Sequence, residues 1–303
     1  MKTSDVFPAA QVGEESPFCR FLRDYCERPV AVAAFLGFVA IIGLAILAGI
    51  VAPQNPYDLT QLDALEGQLK PGSRGVSGIT YWLGTDTQGR DVLSAIMYGL
   101  RMSLLVGALS TLIAVVIGVG LGLVSSYVGG RMDAFLMRVA DVQFSFPTIL
   151  IALILLAVLG RGVDKVIVAL VAVQWAVYAR TVRGSSLVEQ RREYVDAARC
   201  LALPQRRIIF RHILPNCLPP VIVVATMQVA HAISLEATLS FLGVGVPITE
   251  PSLGLLIANG YGFMFSGEYW ISFYPGLALL ITVVCINLVG DQLRDVLNPR
   301  RRR

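Results

Sequence analysis

Four long runs of apolar residues contain no charged side chain, and they constrain the fold more than any other feature of the chain. They are Val30 to Ala52, Met102 to Val128, Val142 to Gly160 and Tyr269 to Gly290. A helix rises about 1.5 Å per residue, so about 20 apolar residues cross a hydrocarbon core of about 30 Å. Only 15% of the residues are charged, whereas soluble domains have about 25%. The runs therefore predict membrane spans and argue against a soluble enzyme.

Two further segments are less regular, and only the shorter of them is ambiguous by length. Ile213 to Leu235 is interrupted only by His231, and Val166 to Ala179 is a short run between charged residues. The basic residues resolve the ambiguity, because Lys and Arg collect in cytoplasmic loops. Two arginines follow the second run and eight follow the short segment, so both loops should be cytoplasmic, with an even number of crossings between them. The short segment must then span, which makes six spans with both chain ends inside.

The predicted fold class is therefore all-α, a polytopic membrane protein with six transmembrane helices. On this topology 19 of the 25 Lys and Arg residues are cytoplasmic, which supports the orientation. The expected division is a cytoplasmic tail at 1–29, a first transmembrane helix at 30–52, a periplasmic segment at 53–100, the remaining spans within 101–291 with a cytoplasmic loop at 180–212, and a basic cytoplasmic tail at 292–303.

Small residues recur at every fourth position of the second span. They are Ser110, Ala114, Gly118, Gly122 and Ser126. Helices in lipid associate by close packing rather than by expelling water, and small side chains let two backbones approach. The stripe therefore predicts that this face of the span packs against another helix.

Ionisable residues are scarce inside the predicted spans. Asp141 lies three residues after Arg138, so an ion pair on one helix face is the simplest explanation for it. His231 and Glu236 lie toward the outer end of the fifth span, about 140° apart around the helix, and are candidates for lining a translocation route. A proton-coupled carrier would need a fuller relay of such groups near the middle of the membrane.

The sequence contains no pattern typical of a catalytic or metal site. It has only two histidines, and it lacks the Gly-Lys dipeptide of a phosphate-binding loop. We therefore expect no catalytic residue, no metal and no cofactor on this chain.

The loop at 180–212 is far longer than a connection between two helices requires. Within it, Tyr194, Ala198 and Leu201 share one helical face, with Ala197 beside them, and a proline then ends the helical pattern. We predict a short amphipathic helix with a small-residue face. It could dock into a groove of another protein or lie on anionic lipid.

This loop resembles the cytoplasmic EAA loop of the permeases of ABC importers. Asp196, Ala197 and Ala198 match its Glu-Ala-Ala start, and residues 212–215 match its end in the peptide-transporter branch. Ala202 stands where the family has glycine. Alanine there disfavours any turn that needs a positive φ, because its Cβ is crowded in that conformation.

Other segments extend the resemblance over nearly the whole chain, to the C-type permease subunits of the dipeptide, oligopeptide and nickel importers. They are WLGTDTQGRDVLS at 82–94, YGLRMSLLVG at 98–107, SYVGGRMD at 126–133, LEATLSFLGVGV at 235–246, PSLGLLI at 251–257 and NLVGDQLRDVLNPR at 287–300. The resemblance implies one added N-terminal helix followed by a type I ABC importer core of five helices, here within 101–291.

The resemblance also implies a transport subunit rather than an enzyme, in a bacterial inner membrane. Two homologous permeases would form the route, two ATPases would bind ATP and Mg²⁺ beneath them, and a periplasmic binding protein would deliver the ligand. The short helix of the 180–212 loop would dock on one ATPase. The coupling residues would then be Glu193, Tyr194, Asp196, Ala197, Ala198, Leu201 and Ala202.

Other functions stay open from the sequence. A secondary carrier or channel, or a membrane scaffold, would explain the spans, but neither needs a long basic loop with a docking helix. Nucleic-acid binding is the weakest alternative, because the net charge of +4 comes from membrane-adjacent arginines without an aromatic platform. The ligand also stays open between di- or oligopeptides, nickel and others, and the nearly uncharged spans favour peptides only weakly.

Overall fold

The computed structural model describes residues 23–297, apart from positions 59, 61, 77 and 248. Most of the predicted tail at 1–29 and the end of the tail at 292–303 lie outside these residues. The principal helices are α1 Pro29–Val51, α2 Val92–Val128, α3 Gly130–Phe144, α4 Thr148–Leu159, α5 Val163–Glu189, α6 Glu193–Cys200, α7 Gln205–Phe241, α8 Leu253–Tyr261 and α9 Trp270–Leu297. A 3₁₀ turn at Ala64–Glu66 precedes an antiparallel hairpin of β1 Ser73–Arg74 and β2 Thr80–Tyr81.

The long helices agree with a polytopic membrane protein. Five helices in the described part of the chain are long and apolar enough to cross a membrane, namely α1, α2, α5, α7 and α9, and the bent pair of α3 and α4 would make a sixth. The prediction of an all-α membrane protein is confirmed.

The second span begins well before the uncharged run. α2 starts at Val92 because Asp91 caps it: the Asp91 carboxylate accepts hydrogen bonds from the backbone N–H of Ser94 at 2.9 Å and from its hydroxyl at 2.5 Å. α2 therefore contains Arg101 and takes up part of the segment at 53–100 that the sequence assigned to the periplasm.

The third apolar run does not form one straight helix. The expected span from Val142 to Gly160 is broken, because α3 ends at Phe144, α4 begins at Thr148, and the two axes differ by 94°. Pro147 explains the break, since it has no N–H to donate and disfavours helical geometry in the residue before it. α4 alone has 12 residues, about 18 Å of helix, so a sixth crossing needs both pieces.

The short fourth segment is the apolar part of a much longer helix. α5 has 27 residues and continues past Arg180, which bounded the apolar run, and past Arg183. Both arginines find carboxylates on α3: Arg180 pairs with Asp141, and Arg183 pairs with Asp133 at 2.5 Å. The expected pairing of Asp141 with Arg138 is wrong, because Asp141 reaches across to the neighbouring helix.

The fifth span is also longer than its apolar run. α7 begins at Gln205, before the expected start at Ile213, and contains a π turn at Ile209–Ile213. Three prolines, Pro215, Pro219 and Pro220, lie inside it. The π turn and the prolines interrupt the regular hydrogen-bond ladder in its first half.

One end of the bundle, which we call the hairpin end, carries the β1–β2 hairpin. Gln54, which follows α1, accepts a hydrogen bond at Oε1 from the backbone N–H of Asp91 at 2.8 Å, just before α2. Trp270, at the start of α9, donates from Nε1 to the carbonyl of Thr85 at 3.1 Å. The end of α1 and the starts of α2 and α9 therefore meet there.

The opposite end carries α6, and we call it the α6 end. α2 and α5 finish there together, where Ser126 Oγ donates to Ser186 Oγ at 2.8 Å. α1 begins and α9 ends away from the hairpin, and Arg28 pairs with Asp295 at 2.8 Å between them. The two ends of the described chain thus lie on the same side as α6.

The small-residue stripe lies in the contact between α2 and α5. A Cβ on Gly118 would lie 2.5 Å from Tyr178 Cβ, and one on Gly122 would lie 2.6 Å from the carbonyl oxygen of Ala179. The backbones of the two helices touch at these glycines, so no larger side chain fits without movement. The whole stripe is buried, namely Ser110, Ala114, Gly118, Gly122 and Ser126.

This contact predicts opposite effects for two glycine substitutions on α2. Gly118→Ala should lower the unfolding midpoint of the detergent-solubilised protein, because overpacking costs about 1–3 kcal/mol. Gly120→Ala is the matched control, since a Cβ at Gly120 meets nothing within 4 Å and alanine favours the helix. A midpoint for Gly118→Ala equal to or above that of Gly120→Ala would contradict the packing.

Candidate functional site

α6 is a short helix that packs onto the ends of two longer ones. Val195 and Ala198 lie on one face of it and are 0% and 4% exposed. They belong to a cluster that also contains Tyr178 and Val182 from α5 and Ile208 from α7. This apolar contact fixes the position of α6 against the rest of the chain.

The outward surface of α6 differs from the predicted docking face. The spacing places Tyr194, Ala198 and Leu201 together, but Leu201 is 74% exposed, whereas Ala198 is covered by this chain's own core. The assignment of Ala198 to a docking surface is therefore wrong, because another subunit cannot reach its methyl group. The predicted coupling residues that are exposed are Glu193, Tyr194, Asp196, Ala197, Leu201 and Ala202.

Ala202 ends this surface in a left-handed conformation, with φ of +52°. The backbone N–H of Leu203 donates to the carbonyl of Ala198 at 3.2 Å, and that of Ala202 donates to the carbonyl of Arg199 at 2.9 Å. These two bonds form a Schellman cap, in which glycine usually occupies the left-handed position. The turn at position 202, which the sequence put in doubt, therefore forms with alanine there. The backbone of Ala202 is strained as a result.

The cap predicts that glycine is the better residue at position 202. Ala202→Gly should raise the free energy of unfolding by about 1 kcal/mol, because it removes the Cβ clash of the left-handed conformation. Ala197→Gly is the matched control inside α6, and it should lower the free energy of unfolding by about 1 kcal/mol. Denaturant unfolding in detergent measures both, and a loss of stability in Ala202→Gly would contradict the strain.

Tyr194 connects α6 to both neighbouring helices. Its hydroxyl donates to Glu189 Oε2 at the end of α5, at 2.5 Å, and accepts from Asn216 Nδ2 of α7 at 3.1 Å. Burial, and then the hydrogen bond to the Glu189 carboxylate, raise the pKa of Tyr194 to about 12, so the phenol keeps its proton at neutral pH. Neither Glu189 nor Asn216 could be identified from the sequence, because no helical spacing relates them to Tyr194.

Basic side chains surround α6. Only weak surface pairs neutralise them: Arg199 lies 3.0 Å from Asp196, and Arg192 lies 3.7 Å from Glu189. α6 therefore presents two carboxylates, Glu193 and Asp196, within a positively charged surface. The exposed arginines on and around α6 are Arg191, Arg192, Arg199, Arg206, Arg207 and Arg211.

Glu236 forms a second polar site, toward the hairpin end. Its carboxylate is 0% exposed. It accepts hydrogen bonds from Ser103 of α2 at 2.9 Å, Ser240 of α7 at 2.8 Å and Ser252 before α8 at 2.7 Å. The carboxylate is thus enclosed rather than open to a water-filled route, whereas His231 is exposed elsewhere on α7. Ser103 and Ser252 carried no sequence signal, because they are remote from Glu236 along the chain, whereas Ser240 lies one helical turn away.

The residues of the WLGTDTQGRDVLS segment build the hairpin end. Thr85 Oγ1 donates to the carbonyl of Glu66 at 2.6 Å, and the Thr85 carbonyl holds Trp270. Asp86 pairs with Arg90 at 3.1 Å, and both are almost fully buried. This part of the resemblance therefore corresponds to a folded cap on the helices. Within the described ranges no group of three or more His, Cys, Asp or Glu could hold a metal ion.

Comparison with protein families gives one match. The family model described as binding-protein-dependent transport system inner membrane component matches residues 114–303. The matched part starts inside α2 and includes the α6 end, and it leaves out α1 and the hairpin.

Curated relatives match most of the chain. A putative peptide transport system permease protein from Brucella suis biovar 1 is 38% identical over 265 residues, which cover 88% of this chain and 87% of the relative. A glutathione transport system permease protein from Pectobacterium atrosepticum is 35% identical over 285 residues, 94% of this chain and 92% of the relative. A dipeptide transport system permease protein from Bacillus subtilis is 36% identical over 270 residues, 89% and 82%.

A solved structure shares the fold of the core. An inward-facing structure of the MetNI methionine ABC transporter matches with a TM-score of 0.55 and 20% identity. The match covers 67% of this chain and 96% of the other chain. At this identity the likeness supports the fold only.

Proposed function

Because this chain belongs to the family of binding-protein-dependent transport system inner membrane components, we propose that it forms half of the translocation route of an ATP-driven importer of di- or oligopeptides. One observation carries the peptide assignment: relatives named for peptide, dipeptide and glutathione transport are 35–38% identical to it over most of their length. The chain itself then provides a route for the peptide and catalyses no chemical reaction.

The energy and the ligand come from other subunits in this proposal. Two ATPases bind ATP and Mg²⁺, a second, homologous permease completes the route, and a periplasmic binding protein delivers the peptide. The named relatives support such a division, because they are permease proteins of transport systems. The proposed setting is the bacterial inner membrane, with no nucleic acid partner.

The α6 end is the cytoplasmic end in this proposal. The exposed arginines around α6 support it, because basic residues collect on the cytoplasmic side. α1 begins and α9 ends at the same end, so both chain termini are assigned to the cytoplasm. The hairpin end then faces the periplasmic binding protein.

Coupling passes through α6. Its exposed surface is the proposed contact with one ATPase, while Val195 and Ala198 join it to α5 and α7 by apolar packing. Tyr194 adds hydrogen bonds to both helices. A displacement of α6 by the ATPase therefore moves the ends of two spanning helices as a rigid unit. Glu236 and His231 remain candidates for the route, and Glu236 would reach water only when α2 and α7 separate.

The peptide assignment predicts ATP-dependent uptake. The complex of this chain with its partner permease, ATPases and binding protein should take up radiolabelled dialanine into proteoliposomes when ATP is available to the ATPases. Complexes supplied with ADP, and complexes given nickel ions in place of dialanine, should show only background uptake. Nickel uptake without dialanine uptake would contradict the peptide assignment, and dialanine uptake without ATP would contradict the coupling to an ATPase.

The coupling surface predicts different defects at two adjacent alanines. Ala197→Arg should abolish peptide-stimulated ATP hydrolysis at unchanged thermal stability, because the new side chain projects from the exposed face of α6. Ala198→Arg should lower the unfolding midpoint, because its side chain would enter the core beside Tyr178 and Val182. Stimulated ATPase activity and unfolding midpoints in nanodiscs measure the two effects. Normal stimulation in Ala197→Arg would exclude this face from the contact.

A further inference from the structure

A cavity of about 320 Å³ opens beside α2 at the hairpin end. Three parts of the chain line it: the segment after α1 with Asn55 and Tyr57, α2 with Tyr98 and Arg101, and the loop before α8 with Glu250. The volume lies at the lower end of the range for small-molecule sites, about 300–1,000 Å³. The cavity therefore suits a ligand of the size of a short peptide.

Arg101 and Glu250 bring opposite charges to this cavity. Both side chains are exposed, and among the ion pairs of the described residues neither takes part. Arg101 lies about 14 Å along α2 from its start, next to the apolar Met102. A charge within a spanning helix is costly and usually marks a binding site or a pathway.

The buried Glu236 links the two segments of the chain that carry these charges. Ser103 follows Arg101 by two positions and Ser252 follows Glu250 by two positions. Both serine hydroxyls donate to the Glu236 carboxylate, at 2.9 and 2.7 Å. One enclosed carboxylate thus joins the backbone segments that carry the two charged residues of the cavity.

Aromatic rings form the wall next to Arg101. The centroids of Tyr57 and Tyr98 are 6.2 Å apart, and the guanidinium of Arg90 lies 5.7 Å from the Tyr57 ring. Burial raises the pKa of Tyr57, so its phenol remains neutral. Arg90 is itself held by Asp86 in the folded cap. The two tyrosine rings present flat faces to a ligand, and this wall adds no unpaired charge to that of Arg101.

We propose that this cavity receives a short peptide with free termini. The guanidinium of Arg101 binds the terminal carboxylate, the Glu250 carboxylate binds the terminal ammonium, and the tyrosine rings contact the atoms between them. The inference rests on the proposed function and narrows its substrate class to zwitterionic peptides of about two or three residues, which fit a cavity of this volume.

Uptake by the complete reconstituted complex tests the two charges. Arg101→Gln and Glu250→Gln should each reduce binding-protein-delivered dialanine uptake at least tenfold. Arg74→Gln and Glu268→Gln are the matched controls, because they remove the same charges at the hairpin end outside the cavity, and they should transport like the wild type. All variants are first checked for assembly and unfolding midpoint. Wild-type uptake in both cavity variants would overturn the site.

A direct binding measurement distinguishes ligand recognition in this cavity from ligand selection by the periplasmic binding protein. Saturation-transfer NMR on the complex without its binding protein compares dialanine, N-acetyl-dialanine and dialanine amide. Wild type should prefer dialanine, Glu250→Gln should lose the preference over the N-acetyl peptide, and Arg101→Gln should lose the preference over the amide. Unchanged preferences in both variants would overturn the site while leaving the importer intact. Absence of any dialanine uptake by the wild-type complex would instead contradict the proposed function.

Discussion

The close contact between α2 and α5 is the interaction on which the rest of the structure depends. Lipid provides no hydrophobic force to bring helices together, so two backbones that touch at Gly118 and Gly122 supply the packing that holds them. α2 runs the length of the bundle, with Arg101 and Ser103 toward the hairpin end and Ser126 at the α6 end. α2 therefore supplies a hydrogen bond to Glu236 and bonds to α5 at the α6 end, and its own position is fixed by its small-residue face.

One polar side chain at each end of the bundle connects three helical elements. Tyr194 joins α6 to α5 and α7, and Glu236 joins α7 to α2 and to the start of α8. Glu236 is fully buried, so water cannot replace its hydrogen bonds if its partners move away. Such links favour discrete arrangements over gradual deformation, which suits the proposed rigid-body transfer between an ATPase contact and a periplasmic opening.

The spans and the short amphipathic helix could be predicted from the sequence, because uncharged runs and proline positions act locally. The errors occurred where a charged residue was compensated by a distant partner. Arg180 appeared to end the fourth span, yet α5 continues past it and past Arg183 because α3 supplies carboxylates to both. Asp141 was assigned to Arg138 for the same reason, since spacing along one helix gives no information about the neighbouring helix. Ala198 was placed outward because the sequence does not show which face of α6 is covered.

The sequence by itself determined that the chain spans a membrane, how many apolar runs it has, and which stripe of α2 packs against another helix. These features depend on composition and on helical period alone. Only the tertiary structure decided that Arg180 and Arg183 pair with carboxylates of α3, and that Ser103 and Ser252 converge on Glu236. Those features depend on segments far apart in the chain. Their partners are chosen by helix packing, which no local spacing encodes.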